Sequence, residues 1–357
     1  MNLIDKYIIK KFLSTFFFML GIVMLFSTVF DISSRLGEFI DNKATVFGII
    51  FEYYTNFIIY YGNTFSALII FLSVIWFTAK MAQDSEIIPL MFSGKPFTRI
   101  LRPYFIAATF LVFVSLILNH FIIPKSNKVR LNFEEKYYRD RMVVENYHAQ
   151  FPGNKLVYFT SYVSDENIVN DLKIEVWNAK GKPDYYIHAQ TAINTLGTHK
   201  WHLNNYYIRK IGNPKDDLRT GFALDTTFNF TIEEMAIREN RAETMAFSEL
   251  KKFIEMEKRK GNPKIPDYEI MLYQRTSLPF ATYVLTLMGV AVSSRKKRGG
   301  IGVNIAIGLL FVFIYIFTMQ VTTVAAKNLG FPPMIAVWVP NVLFGILGYV
   351  MYRLAPK

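Results

Sequence analysis

The chain has no cysteine in its 357 residues, so disulfides and cysteine-held metal centres are excluded. It has no G-x-x-x-x-G-K-[ST] loop and so lacks the usual cradle for nucleotide phosphates. The stretch Gly299-Gly300-Ile301-Gly302 does not replace that loop, because no strand precedes it. Charge is also missing over long distances. Residues 12–30, 57–79, 104–123, 276–294, 301–326 and 334–352 contain no Asp, Glu, Lys or Arg. A hydrocarbon layer of about 30 Å needs roughly 20 helical residues to cross it, and every one of these runs reaches about that length. Six such runs predict an integral membrane protein. The absence of a carboxylate inside them argues against a proton-coupled carrier, which usually needs one there. No Ser/His/Asp set stands at a recognisable catalytic spacing.

What charge there is has a topology. Between positions 124 and 267 lie 23 Lys and Arg against 20 Asp and Glu, and the remainder holds 17 against 8. The excess therefore sits on the membrane part, where it reports orientation before it reports a ligand, and no nucleic-acid partner is expected. With the N-terminus inside, the inner segments carry Lys6, Lys10, Lys11, Lys80, Lys95, Arg99, Arg102, Arg295, Lys296, Lys297, Arg298, Arg353 and Lys357. The short outer loops carry Arg35, Lys43 and Lys327 alone. This bias places both termini in the cytoplasm and the polar insert outside, in the periplasm of a two-membrane bacterium. Asp31 follows the first run where a signal peptidase would need small residues, so that run reads as an uncleaved helix.

The insert reads as β. Six runs rich in β-branched and aromatic residues (145–151, 156–162, 172–178, 185–191, 201–210 and 223–231) are punctuated by Pro152-Gly153-Asn154, Lys180-Gly181-Lys182-Pro183 and Gly212-Asn213-Pro214. That spacing predicts a sandwich or jelly roll. Residues 247–260 predict a helix capped by Ser248, and 31–55 an amphipathic outer loop. The expected class is an α+β membrane protein with six transmembrane helices (3+3) and a jellyroll-like periplasmic domain between helices 3 and 4. Its parts are 1–123, 124–267 and 268–357, with no repeat evident between the two helix triplets. His199-x-x-His202 flanks Trp201, but on a strand i and i+3 face opposite ways, so a shared metal is not expected.

Two stretches carry more. Residues 81–94, around Asp84-Ser85-Glu86, predict a short amphipathic helix along the inner membrane surface before Ser93-Gly94, the kind of element a peripheral partner grips. Glu86 can offer its carboxylate to a partner arginine, or it is simply a solvated acid. Near the C-terminus, Arg275 precedes Pro279 at the opening of one span. Phe331-Pro332-Pro333 precedes Trp338-Val339-Pro340-Asn341 in another. Pro340 removes a helical hydrogen bond, and Asn341 can mend the gap or bond a neighbouring helix.

These residues resemble the LptF/LptG permease family of lipopolysaccharide export. The matching pieces are Leu3-Ile4-Asp5-Lys6-Tyr7-Ile8, Ser85-Glu86 with Ser93-Gly94, Arg275 with Pro279, and Gly330-Phe331-Pro332-Pro333 with Trp338-Val339-Pro340-Asn341. The layout matches as well, and the start and overall length look more like LptG than LptF. Phe92 stands where the family usually has a small residue. The resemblance implies an inner-membrane heterodimer with the other LptF/LptG subunit on a dimer of the ATPase LptB. That ATPase would bind the ATP and Mg, with no cofactor in this chain. It further implies a cavity that takes lipopolysaccharide from the outer leaflet among membrane lipids, and periplasmic domains that pass it to LptC and LptA. Ser85, Glu86 and Gly94 would couple to the ATPase. Acyl chains need an apolar wall, for which Phe16, Phe17, Met24, Phe311 and Phe317 are candidates. Phosphates need basic groups at the outer rim, where Arg35, Lys43 and Arg275 are candidates beside Lys125, Lys128 and Lys327. Interfacial charges that merely snorkel to water fit the same positions. A membrane enzyme acting on envelope lipids would need a polar catalytic cluster that the sequence does not offer. A non-transporting scaffold for the β-domain would predict normal lipopolysaccharide export after depletion.

Overall fold

The computed structural model describes residues 2–86, 97–137, 143–164, 167–178, 181–212, 215–235, 239–294 and 300–354. By packing, the chain divides into two units. One is Met1–Tyr138, Glu243–Leu250 and Pro266–Lys357; the other is Arg139–Ala242 and Lys251–Ile265. The first division falls later than position 123 because the chain stays helical past the third apolar run.

The first unit holds six helices long and apolar enough to span a bilayer. α1 (Leu3–Asp41) begins with a capping box between Asn2 and Asp5. It continues beyond the first apolar stretch, so 31–41 is helix where a loop was expected. Arg35 bonds Asp31 one turn back (3.1 Å), which supports that extension. A wide π-helical segment (Gly48–Tyr54) leads into α2 (Thr55–Thr64), and α3 (Ser66–Gln83) follows. The second run is thus broken at Phe65. There the Thr64 hydroxyl bonds the Tyr60 carbonyl and the Ser66 hydroxyl bonds the Asn63 carbonyl (2.8 and 2.7 Å), back-bonding of a kind that bends helices. α4 (Phe97–Ile117) passes through a π-helical turn (Leu118–Ile122) into α5 (Ile123–Tyr137). After the insert come α7 (Phe247–Lys260), which begins in this unit and belongs to the second from Lys251 on, and then α8 (Ile265–Ser293), α9 (Gly300–Asn328) and α10 (Pro333–Arg353).

α3 and α8 are central: 67% of each apolar window is buried, against 17% for α1 and for α9. Glycines allow the close crossings. A Cβ on Gly289 of α8 would lie 2.8 Å from Val74 Cγ1 of α3. Small residues let backbones approach where no hydrophobic force drives helices together in lipid. Neutral polar pairs add specificity. Ser115 donates to Asn63 Oδ1 (2.8 Å), and Thr78 and Tyr104 share a hydrogen bond (3.0 Å). Asn341 does not mend the gap at Pro340. Its Nδ2 donates to the Ser277 carbonyl (2.8 Å) and its Oδ1 accepts from Tyr315 (2.9 Å), so it ties α10 to α8 and α9.

The second unit is built on β1 (Val143–Phe151), β2 (Lys155–Val163), β3 (Ile168–Trp177), β4 (Pro183–Asn194), β5 (Lys200–Lys210) and β6 (Asp217–Thr227), followed by the short α6 (Ile232–Met235). All pairs are antiparallel and the order is β1-β2-β3-β4-β5-β6. This is the inserted β-domain expected, and its described strands run in meander order. A crease lets it cover a core. Asn146, Asp171 and Asn205 have φ of 51°, 56° and 47°. The flanking pairs set Asn146 opposite Thr160, Thr160 opposite Asp171, Asp171 opposite Gln190, and Gln190 opposite Asn205. Asn and Asp tolerate this left-handed conformation best after Gly. Each strand changes its inward parity there: Phe159 and then Tyr162, Leu172 and then Val169, Ala189 and then Ala192. All of these join one buried cluster with Trp201, Leu203 and Phe230. Trp201 is fully buried and its Nε1 donates to the Phe230 carbonyl (3.2 Å).

Candidate functional site

The candidate residues fall in three places in the helical unit: the end that gathers Lys11, Lys80 and Arg99, the opposite helix ends, and the faces of α1 and α9.

At the first, α3 closes in a left-handed cap. Ser85 has φ 59°. The Glu86 amide bonds the Met81 carbonyl (2.8 Å) and the Ser85 amide the Ala82 carbonyl (3.3 Å). That is the Schellman pattern, with Ser85 where Gly is usual. The turn aims Glu86 at α1, where its Oε2 accepts from Tyr7 (2.9 Å) and pairs with Lys11 (3.2 Å). Burial works against the carboxylate form, and the Tyr7 and Lys11 hydrogen bonds outweigh it, so the Glu86 pKa lies below its usual value. Gly94 and the remainder of the expected surface helix, with Phe92, lie outside the described residues. At the start of α4, Arg99 forms a two-pronged bridge to Asp5 (2.7 and 2.8 Å). Asp5 is 3% exposed. The sequence reading missed Asp5 and Arg99. The acid three residues after Asn2 marks the capping box and not the bridge to Arg99.

At the other helix ends the basic candidates separate. Arg35 pairs with Asp31 and, at 3.6 Å, with Glu38. Tyr54 also donates to Asp31 (3.1 Å), so two acids face this one guanidinium. Lys43 is exposed at the left-handed position (φ 53°) that ends α1. Lys125 and Lys128 are exposed on α5. Lys327 bonds Asp267, linking α9 to α8. Arg275 is 8% exposed, within electrostatic reach of Glu243. It belongs to a buried group with Arg130, Glu134 and Asn127. Arg130 pairs with Glu134 and, at 3.7 Å, with Glu243. Asn127 donates to Glu243 (3.3 Å), and the Tyr60 ring lies 4.8 Å from the guanidinium of Arg130. Two buried arginines and the buried Glu134 are thus balanced with the half-buried Glu243, and a buried charge is tolerated only when it has a partner. The group fastens Glu243, on the exit from the insert, to α5, on its entry. The i,i+4 spacing of Arg130 and Glu134 was its only mark in the sequence.

The apolar candidates also separate. Phe16 and Met24 are buried, and Phe17 is exposed. Phe311 is half-buried against the cluster of Ile75, Leu285 and Tyr315. Phe317 is exposed and stacks on Phe313 (centroids 6.4 Å apart). Single exposed apolar residues need no explanation, but continuous apolar faces on two helices mark contact with lipid, ligand or another chain. Among the described residues no three His, Cys, Asp or Glu stand together to hold a metal. His202 pairs with Asp225 (2.6 Å), beside the buried Trp201.

The family model described as the lipopolysaccharide export system permease LptF/LptG matches residues 6–354. No curated protein matches the chain at a significant level.

Proposed function

Since the chain belongs to the LptF/LptG family of lipopolysaccharide export permeases, a multi-pass transport component and not an enzyme, we propose the following role in detail. It is one permease half of an ABC-type exporter in the bacterial inner membrane, with both termini cytoplasmic and the β-domain periplasmic. The resemblance favours the LptG half. A separate LptB-type ATPase dimer binds ATP and Mg. The second permease subunit completes the cavity, lipopolysaccharide enters it from the outer leaflet, and the β-domain hands the lipid to LptC- and LptA-type proteins.

The observation that carries this reading is the extent of the family match, which runs through both helix triplets and the insert. The physical features are compatible with it. Only 17% of the apolar window of α1, and of α9, is buried, which leaves a surface suited to acyl chains or a second permease. Glu86 is held charged and exposed beside the segment expected to seat in the ATPase. Both of its observed bonds fall on Oε2, and a carboxylate has a second oxygen for an arginine. Lys43, Lys125 and Lys128 stand open to water and are better placed for an anionic head group than the buried Arg275.

The test is reconstitution with the partner ATPase, the second permease and a soluble periplasmic acceptor. ATP-driven transfer of lipopolysaccharide to the acceptor is expected, with Glu86→Arg abolishing it. If the chain never associates with such an ATPase and Glu86→Arg leaves export intact, the reading is wrong.

A further inference from the structure

α1 is held at both ends. Toward its C-terminus Phe39 is buried among Tyr53, Tyr54, Phe57 and Phe133, and Asp31 accepts from Tyr54. Its first turns carry the ionic ties. Asp5 and Tyr7 lie in its first turns and Lys11 in its third. Arg99 grips Asp5 from the start of α4, while Tyr7 and Lys11 hold Glu86 just past the end of α3. Glu86 and Arg99 flank residues 87–96 in sequence, so both approaches to that stretch are tied to the same three turns of α1. Between the ties the helix is seated on an apolar bed. Ile8 and Phe12 are fully buried against Phe77, Met81, Ile100 and Tyr104. The rings of Phe12 and Phe77 are 5.6 Å apart, and those of Phe77 and Tyr104 are 5.3 Å apart. Farther along, Phe18, Leu25, Phe26 and Phe30 are exposed.

We propose that Asp5, Tyr7 and Lys11 are positioning residues that make the first three turns of α1 the receiver of the ATPase's motion. The inference rests on the reading above, in which the stretch after Glu86 meets the ATPase. A close-packed aromatic bed and a bidentate bridge to a buried carboxylate transmit displacement with little deformation. The exposed Glu86 pair is weaker alone, but it shares the load with Arg99 across the same turns. A 39-residue helix is about 58 Å long. Tilting it by about 5° about the ionic ties moves the far end roughly 5 Å over that length, and the π-helical segment and α5, which pack on Phe39, would move with it. The uncovered apolar face is what such a tilt would carry.

The absence of cysteine makes the test direct. Spin labels are placed through Val29→Cys on α1 and Ile335→Cys on α10, both exposed. Their separation is measured in the complete complex in nanodiscs, without nucleotide and with ATP trapped. A nucleotide-dependent shift of several ångströms is expected from that lever arm. Arg99→Ala combined with Lys11→Met should reduce the shift by more than about half. Lipid moved per ATP hydrolysed should fall at least about fivefold while ATP hydrolysis stays within about twofold. The exchange Asp5→Arg with Arg99→Asp should restore both readouts if the tie itself matters, and a variant that only misfolds would not be rescued. A full shift in Arg99→Ala with Lys11→Met overturns the proposal. So does an unmoved α1 in the unsubstituted complex, or failure of the charge exchange in a complex that still assembles. If the unsubstituted complex moves no lipopolysaccharide with ATP, the proposed function fails instead.

Discussion

Replacing Asn341 by Leu tests how the second helix triplet is held together. The swap nearly keeps side-chain volume and removes both bonds that join α10 to α8 and α9. Interhelical hydrogen bonds in membranes contribute about 0.6 kcal/mol each on average and at most about 1.7. The larger loss comes from Tyr315. Its hydroxyl is buried with Asn341 as acceptor, and an orphaned buried hydroxyl costs about 1–3 kcal/mol. Asn341→Leu should therefore destabilise the protein by about 2 kcal/mol. Tyr315→Phe alone should cost about 1 kcal/mol. The double variant should cost less than the sum by roughly 1 kcal/mol, because the second change removes the hydroxyl that the first one stranded. The assay is reversible unfolding in mixed micelles, followed through Trp338, which packs on Phe280 (5.7 Å between rings) next to the network. Additivity within about 0.3 kcal/mol would mean that the two residues do not interact as described.

Gly289→Ala should destabilise by about 1–3 kcal/mol, because the new methyl meets the stiff side chain of Val74 at 2.8 Å. Val74→Ala should recover part of the loss, and the absence of any recovery in the same unfolding assay would place the clash elsewhere. Ser85→Gly should stabilise by up to about 1 kcal/mol, since a left-handed residue without Cβ is less strained. A lower unfolding midpoint would contradict the Schellman assignment. Asp171 is partly desolvated, but hydrogen bonds from Lys173, His188 and Thr160 prevail and lower its pKa to about 2. A lowered folded-state pKa gives stability that is complete above the ordinary pKa and is lost as pH falls toward about 2. With the side chain 36% exposed, the effect should stay below about 1 kcal/mol after screening. Asp171→Asn keeps a residue that tolerates the left-handed backbone and removes the charge. Its stability gap from the unsubstituted protein should close between pH 4 and pH 2 (roughly the interval between the two pKa values), and a gap unchanged at pH 2 would refute the cause.

Elements whose signal is local were readable from the sequence. The six charge-free runs fall within helices, the second broken at Phe65 into α2 and α3, because a helix satisfies the amides of so many consecutive apolar residues within the segment. The six β-rich runs became six strands, with β6 starting at Asp217 and not at 223, since its first residues pair with Lys210 and Arg209 and not with a pattern of their own. What could not be read depends on partners distant in sequence. Nothing near Asp5 announces Arg99, 94 positions away. Nothing near Arg275 announces that Glu243 lies within its electrostatic reach and that the residue is 8% exposed, so a basic residue beside a span read as a rim charge. The crease was invisible for another reason. Asn146, Asp171 and Asn205 look like ordinary polar residues on outward positions, and only cross-strand register shows them on neighbouring lines of one fold.

Charge and neutral polarity are divided between the ends and the middle of the helices, and this division bears on how the helices can move. In the middle, contacts between helices are neutral: Asn63 with Ser115, Thr78 with Tyr104, Asn341 with Tyr315 and the Ser277 carbonyl. In hydrocarbon each is strong enough to choose a neighbour and weak enough to be exchanged. At the ends the contacts are ionic and far costlier to break from one side, because the remaining charge would stay buried. Asp5 with Arg99 fixes α1 to α4 at one end, and the Arg130 group fixes α5 to the exit from the insert at the other. A helix fastened by a charge at one end and by apolar packing at the other, as α1 is through Phe39, has its stiffest hold at the charge. For α1 that hold lies at Asp5, and displacement grows along the helix through the exposed Phe26 and Phe30 toward Asp41.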